Sequence, residues 1–166
     1  MNALFTLAAI VAVVSTTMVV TRTVAVHALL YLVVSLLAVA TVFFTLGAAF
    51  AAALEVIIYA GAIMILFVFV VMMLNLDRGD AERERAWLTP RVWAGPALLA
   101  AVLAGELLYA AIAGHGEIVS AQEVGPVQVA LALFGPYLLA VELASLLLLA
   151  GLISAYHLGR DSGRGG

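Results

Sequence analysis

The chain has no cysteine and no lysine among its 166 residues. Without cysteine there is no disulfide, no thiolate-held iron–sulfur cluster and no cysteine nucleophile. Its three histidines, His27, His115 and His157, stand too far apart for a haem or zinc site built from this chain alone. Charge is scarce as well, at 10% of residues, and all seven basic side chains are arginine. No basic stripe suited to nucleic acid is present, and no glycine-rich phosphate loop. Gly159, Gly163, Gly165 and Gly166 belong to a polar tail rather than to a phosphate cradle.

What remains is apolar: hydrophobic residues make up 66% of the chain, and the few charges fall between long uncharged runs. That is the pattern of a helical membrane protein, because a span needs about 20 predominantly apolar residues. The expected fold is therefore an all-α polytopic membrane protein with five transmembrane helices, at about residues 4–20, 26–46, 53–75, 92–113 and 131–156. These use nearly the whole of residues 1–166, which reads as a single membrane domain. The first run has no preceding positive residue and no clean small-residue cleavage site, so it reads as a retained helix rather than a signal peptide. Gly47 to Phe50 predicts a tight turn that packs the second and third spans as an antiparallel hairpin.

One polar stretch, Asp77 to Arg85, carries mixed charge, and Trp87 and Trp93 bracket Pro90 where indole rings settle at a membrane interface. Its two readings are a solvated loop and a docking surface. All seven arginines lie in the first loop, the third loop and the C-terminal tail, which share one side of a five-span chain. Positive residues favour the cytoplasm, so the N-terminus is expected outside (periplasmic) and the C-terminus in the cytoplasm.

The third run, residues 53–75, is the most unusual. It places Glu55 in its first turns and Tyr59 one turn on, and Gly61 lies within an Ala60-Gly61-Ala62 patch. Small residues let helices approach closely, so the patch reads either as a packing notch or as a place where the helix deforms. Glu106 and Glu142 are the other carboxylates inside spans. Each needs a partner, water or a proton, since a charge at the bilayer centre costs roughly 2.5–3.5 kcal/mol. Glu142 is expected about 12 Å into its helix at 1.5 Å per residue. No lysine, arginine or central histidine of this chain is placed to neutralise it. Glu106 is expected to snorkel outward.

Two stretches carry most of a family resemblance, and two shorter ones add to it. Ala53 to Met64, continued by Phe67 to Asn75, resembles the third helix of the J subunit of bacterial proton-translocating NADH:quinone oxidoreductase, respiratory complex I. That family is equivalent to the sixth mitochondrially encoded subunit. Phe134 to Leu146 resembles its fifth helix, Val26 to Leu32 its second, and Trp87-Leu88 with Val92 to Pro96 the start of its fourth. The resemblance implies a small membrane-arm subunit of the respiratory chain in the bacterial inner (cytoplasmic) membrane. FMN, iron–sulfur clusters and quinone are then expected in partner subunits and no cofactor in this chain. The implied partners are other membrane-arm subunits, including the quinone module, and the lipid bilayer.

The resemblance further implies a third helix that takes up a π-bulge and gates a proton connection. Tyr59, Gly61 and Ile63 to Phe69, with Ile65 and Phe67 as the bulky residues that move, would form the deformable region. Glu55 and Glu142 match acidic positions of the family motifs. Other readings are a small membrane subunit of a related cation/proton antiporter and a purely structural assembly subunit.

Overall fold

The computed structural model describes residues 3–74, 90–113 and 124–161, with the side chains of Leu74, Pro90, Arg91, Val92, Ala113 and Asp161 left aside. The polar stretch Asp77 to Arg85 therefore lies outside the described residues. Every regular element is a helix among the described residues, and five helices are long and apolar enough to cross a membrane. The chain is thus a multi-pass membrane protein by length and composition of its helices. It divides into two compact units, one up to Val124 and one from Gly125 onward.

In the first unit, α1 (Ala3–Thr21) and α2 (Ala25–Thr45) form an antiparallel hairpin across residues 22–24. Both are apolar along their length, as spans must be, and they pack through small side chains such as Ala8 and Ala38, each fully buried. Thr16 and Ser35 join the two helices by a 2.7 Å hydroxyl contact. Near the loop end of the hairpin the Arg22 guanidinium lies 5.4 Å from the centre of the Tyr31 ring, within cation–π range.

The end of α2 is fixed by Gly47, whose φ of 80° is costly for residues with a Cβ. Gly47 N–H donates to Phe44 O and Ala48 N–H to Phe43 O, each at 3.0 Å. This pair of bonds is the Schellman arrangement that satisfies the last carbonyls of a helix. The chain reverses there as expected, and the third helix begins two residues later, at Ala49, four residues before the expected start at 53. It runs as α3 (Ala49–Leu54), a π-helical segment (Glu55–Ile63) and α4 (Met64–Leu74) without a break.

The fourth span, α5 (Pro90–Ala113), runs parallel to α2. Gly95 lies against the Tyr31 side chain, and Leu103 shares a buried cluster with Val34, Ala38, Ala8 and Val11. Pro96 sits inside α5 and leaves it helical, which membrane helices tolerate when neighbours re-satisfy the freed carbonyl.

The second unit corrects the expected fifth span. Instead of one helix over residues 131–156, α6 (Pro126–Leu133) and α7 (Leu138–Asp161) are separated by a turn over residues 134–137. Proline at the first helical position starts α6, and Gln128 Oε1 accepts from Gly125 N–H at 3.2 Å. Pro136 stops the helix because its ring collides with the carbonyl four residues back and it has no N–H to offer. Tyr137 N–H serves that carbonyl instead, reaching Ala132 O at 3.1 Å. Gly135 is also required here, since a Cβ would stand 2.6 Å from Leu131 O.

Candidate functional site: the third helix

Glu55 opens the π-helical segment and Ile63 closes it, nine residues in all. In this register each N–H reaches the carbonyl five residues back instead of four. The Met64 N–H is directed at Tyr59 O in this way. Gly61 belongs to the same geometry, because a Cβ there would lie 3.2 Å from the Val56 carbonyl oxygen, five residues back. A side chain at this position crowds backbone, which cannot swing aside.

The wider register changes which residues face the bundle. The sequence placed Tyr59 on the same face as Glu55, four residues on. In the structure the half-buried positions are Glu55, Ala60, Gly61 and Ile63, between buried Ala52 and Met64. The inward step from Glu55 is thus five residues long, and it lands on Ala60. Tyr59 turns outward and is 50% exposed. The π-helical segment starts at Glu55, four residues before Tyr59, where the deformable region was expected to begin. Ile65 and Phe67 lie beyond it in the regular helix α4, 69% and 50% exposed.

A cavity of about 430 Å³ adjoins the segment, between α2, the third helix and α5. Thr41, Phe44, Ala52, Val56, Leu103 and Leu107 are among its lining residues. Nearly all of this wall is apolar, so the space beside Val56 offers no hydrogen bond that fixes the helix in one register. The sequence reading did not find this cavity. The alanines at 40, 49, 52, 53, 100 and 104 are its trace in the sequence.

Glu142 is held in the other unit, on α7. Because α7 starts at Leu138, Glu142 is only four residues past the helix start, about 6 Å at 1.5 Å per residue. It therefore stands closer to the start of its helix than the expected 12 Å, and its side chain is exposed on that unit. Ser145 Oγ donates to the Glu142 backbone carbonyl at 2.7 Å, a bond that stays within the helix. Glu106 also departs from expectation. It does not snorkel outward but is buried, with 8% of its surface exposed. No cluster of three or more potential metal-ligating side chains occurs among the described residues.

Comparison with known proteins gives a consistent answer. The family NADH-ubiquinone/plastoquinone oxidoreductase chain 6 matches residues 15–158. NADH-quinone oxidoreductase subunit J of Pseudomonas aeruginosa PAO1 is 56% identical over 161 residues, covering 96% of this chain and 97% of the relative. The protein of the same name from Escherichia coli K12 is 53% identical over 161 residues, covering 97% and 88%. That from Buchnera aphidicola of Schizaphis graminum is 44% identical, covering 97% and 99%. The match takes in all the helices of the third span and the turn before α7, the two stretches on which the resemblance rested. This chain therefore belongs to the NADH-ubiquinone/plastoquinone oxidoreductase chain 6 family.

Proposed function

We propose that this chain is a non-catalytic membrane-arm subunit of a proton-translocating NADH:quinone oxidoreductase in a bacterial inner membrane. Its N-terminus faces the periplasm and its C-terminus the cytoplasm. Redox chemistry, with FMN, iron–sulfur clusters and quinone, belongs to neighbouring subunits. The role of this chain is coupling, and the third helix is the moving part.

The observation that carries the coupling role is the π-helical segment Glu55–Ile63. A helix with one register displaced can return to the regular register by exchanging hydrogen bonds one for one, so both states keep their backbone satisfied. Moving by one residue rotates the following helix by about 100° at 3.6 residues per turn. Ile65 and Phe67, which ride on α4, then swap facing. A bulky apolar side chain moved into or out of a file of water makes or breaks proton conduction, so a local switch governs a long-range process. The apolar cavity beside Val56 supplies the space for the change. Glu55 is the carboxylate of this unit that would meet such a path, and Glu142 of the other unit is a separate candidate proton carrier. Glu55 sits at the start of the segment, and Glu142 lies near the start of α7.

The test is hydrogen exchange on the assembled complex, resting and turning over NADH and quinone. Amides from Glu55 to Met64 exchange at rates that depend on turnover if the register changes. Identical protection of this segment in both conditions, with full pumping in membranes that lack the chain, refutes the reading.

A further inference from the structure

Glu106 lies on the first unit, on α5, and plays no part in the third helix. Both of its carboxylate oxygens are buried without a hydrogen-bond partner among the described residues. The side chain is more than nine-tenths buried. Its setting is apolar: Leu103, one turn earlier on α5, is packed with Ala8, Val11, Val34 and Ala38 of the two neighbouring helices. Because α5 runs parallel to α2, Glu106 lies past that cluster, level with about Thr41 and away from the Arg22 end.

Among the described residues, charged and titratable groups around this position are few. α1 contributes none along Ala3–Thr21. α2 contributes His27 and Tyr31, about 21 and 15 Å nearer the opposite end at 1.5 Å per residue. On α5 itself Tyr109 is largely exposed, and Arg91 stands about 22 Å back along the axis. Across the cavity the third helix brings Glu55, another acid, and outward-facing Tyr59. Thr41 and Thr45 donate their hydroxyl protons to Leu37 O and Val42 O of their own helix, at 2.9 and 2.8 Å. Their oxygens are left as acceptors.

An unpaired carboxylate among alkyl side chains is unfavourable, whereas a bound proton removes the charge and supplies a donor. We infer that Glu106 is a proton-binding site inside the α1–α2–α5 interface, separate from the third helix, that holds its proton as a neutral carboxylic acid. The ligand is a single proton: one carboxylate oxygen gains an O–H bond and no other bond changes. In the orientation proposed above, the site lies in the periplasmic half of the membrane. It is then a proton store on the side to which protons are delivered.

Infrared difference spectroscopy on membranes carrying the native assembly tests this directly, comparing wild type with Glu106→Gln at neutral pH. The expected result is loss of one carbonyl band of a protonated carboxyl, shifted by deuterium exchange. Loss of a carboxylate band pair instead overturns the inference. A second measurement uses a membrane-soluble carbodiimide, which takes the acid's proton on nitrogen while the carboxylate oxygen adds to its central carbon. The peptide containing Glu106 should carry the adduct in wild type and lose it in Glu106→Gln. Equal labelling by a water-soluble carbodiimide would show an open, hydrated carboxylate and overturn the inference. Glu106→Leu, which keeps the apolar packing, should assemble normally. Neither readout depends on whether the third helix gates conduction, so the two ideas fail separately.

Discussion

Replacing Gly61 with alanine is the smallest change that separates the two registers of the third helix. In the π register the new Cβ would stand 3.2 Å from the Val56 carbonyl oxygen. In a regular helix that carbonyl pairs with residue 60 instead, so the crowding belongs to the π register alone. Alanine also favours helix over glycine by about 1 kcal/mol, but both registers are helical and this gain cancels between them. Overpacking by a methylene typically costs about 1–3 kcal/mol, and a contact short by only a few tenths of an ångström belongs at the low end. A cost of about 1 kcal/mol moves the ratio of the two registers roughly fivefold toward the regular helix. The assay is NADH-driven proton pumping and quinone reduction in membranes with matched complex content. Gly61→Ala should slow coupled turnover by up to about fivefold, the same ratio, and Gly61→Leu, which adds bulk beyond the same Cβ, should slow it further. Wild-type rates in both variants, or a regular α-helix through residues 55–74 in every state of the complex, would refute the reasoning.

Glu142→Gln keeps shape and hydrogen-bonding capacity but removes the titratable proton, so it should reduce pumping while leaving assembly intact. Unchanged pumping in inverted vesicles would assign Glu142 to structure. Thr23→Cys, in the loop between α1 and α2, should react with an impermeant thiol reagent from the cytoplasmic side only, and labelling of intact cells from outside would reverse the orientation. Gly95→Ala drives a Cβ into the Tyr31 hydroxyl and should cost about 1–3 kcal/mol by overpacking, seen as a lower melting temperature of the complex. Adding Tyr31→Phe to Gly95→Ala should recover part of that loss, and no recovery would show that the two residues do not meet. The purified chain alone should neither oxidise NADH nor reduce quinone, and a flavin, haem or cluster bound to it would contradict this.

Family and span count were legible because both are local properties of the chain. A run of about 20 apolar residues must close its hydrogen bonds within itself in a bilayer, so hydropathy alone marks five helices. The turn at Gly47 was equally plain, since a positive φ calls for glycine. The sequence also flagged Glu55 to Gly61 as unusual, but did not show that the π-helical segment begins at Glu55 and ends at Ile63. An i→i+5 register differs from the regular one by a single exchange of partners, and composition hardly registers it. The structure fixes it through facing: Ala60, not Tyr59, follows Glu55 toward the bundle.

Two glycine–proline pairs make the same point. Pro96 sits inside an unbroken α5, whereas Pro136 ends α6 and forces a turn. The dipeptide is the same, and the difference comes from where the freed carbonyl finds a donor, which for Pro136 is Tyr137 N–H. Glu106 shows the limit most clearly. Its place within an apolar run was evident from the sequence, and an outward reach was the simplest expectation. Whether a carboxyl on a helix meets lipid, water or a neighbour depends on which faces of three helices pack together. That depends on side-chain shape at Ala8, Ala38 and Leu103, residues far apart in the chain. The sequence by itself determined what crosses the membrane, because that rests on the chain's own backbone. Only the tertiary structure decided what each crossing helix turns toward its neighbours, because that rests on contacts between distant segments.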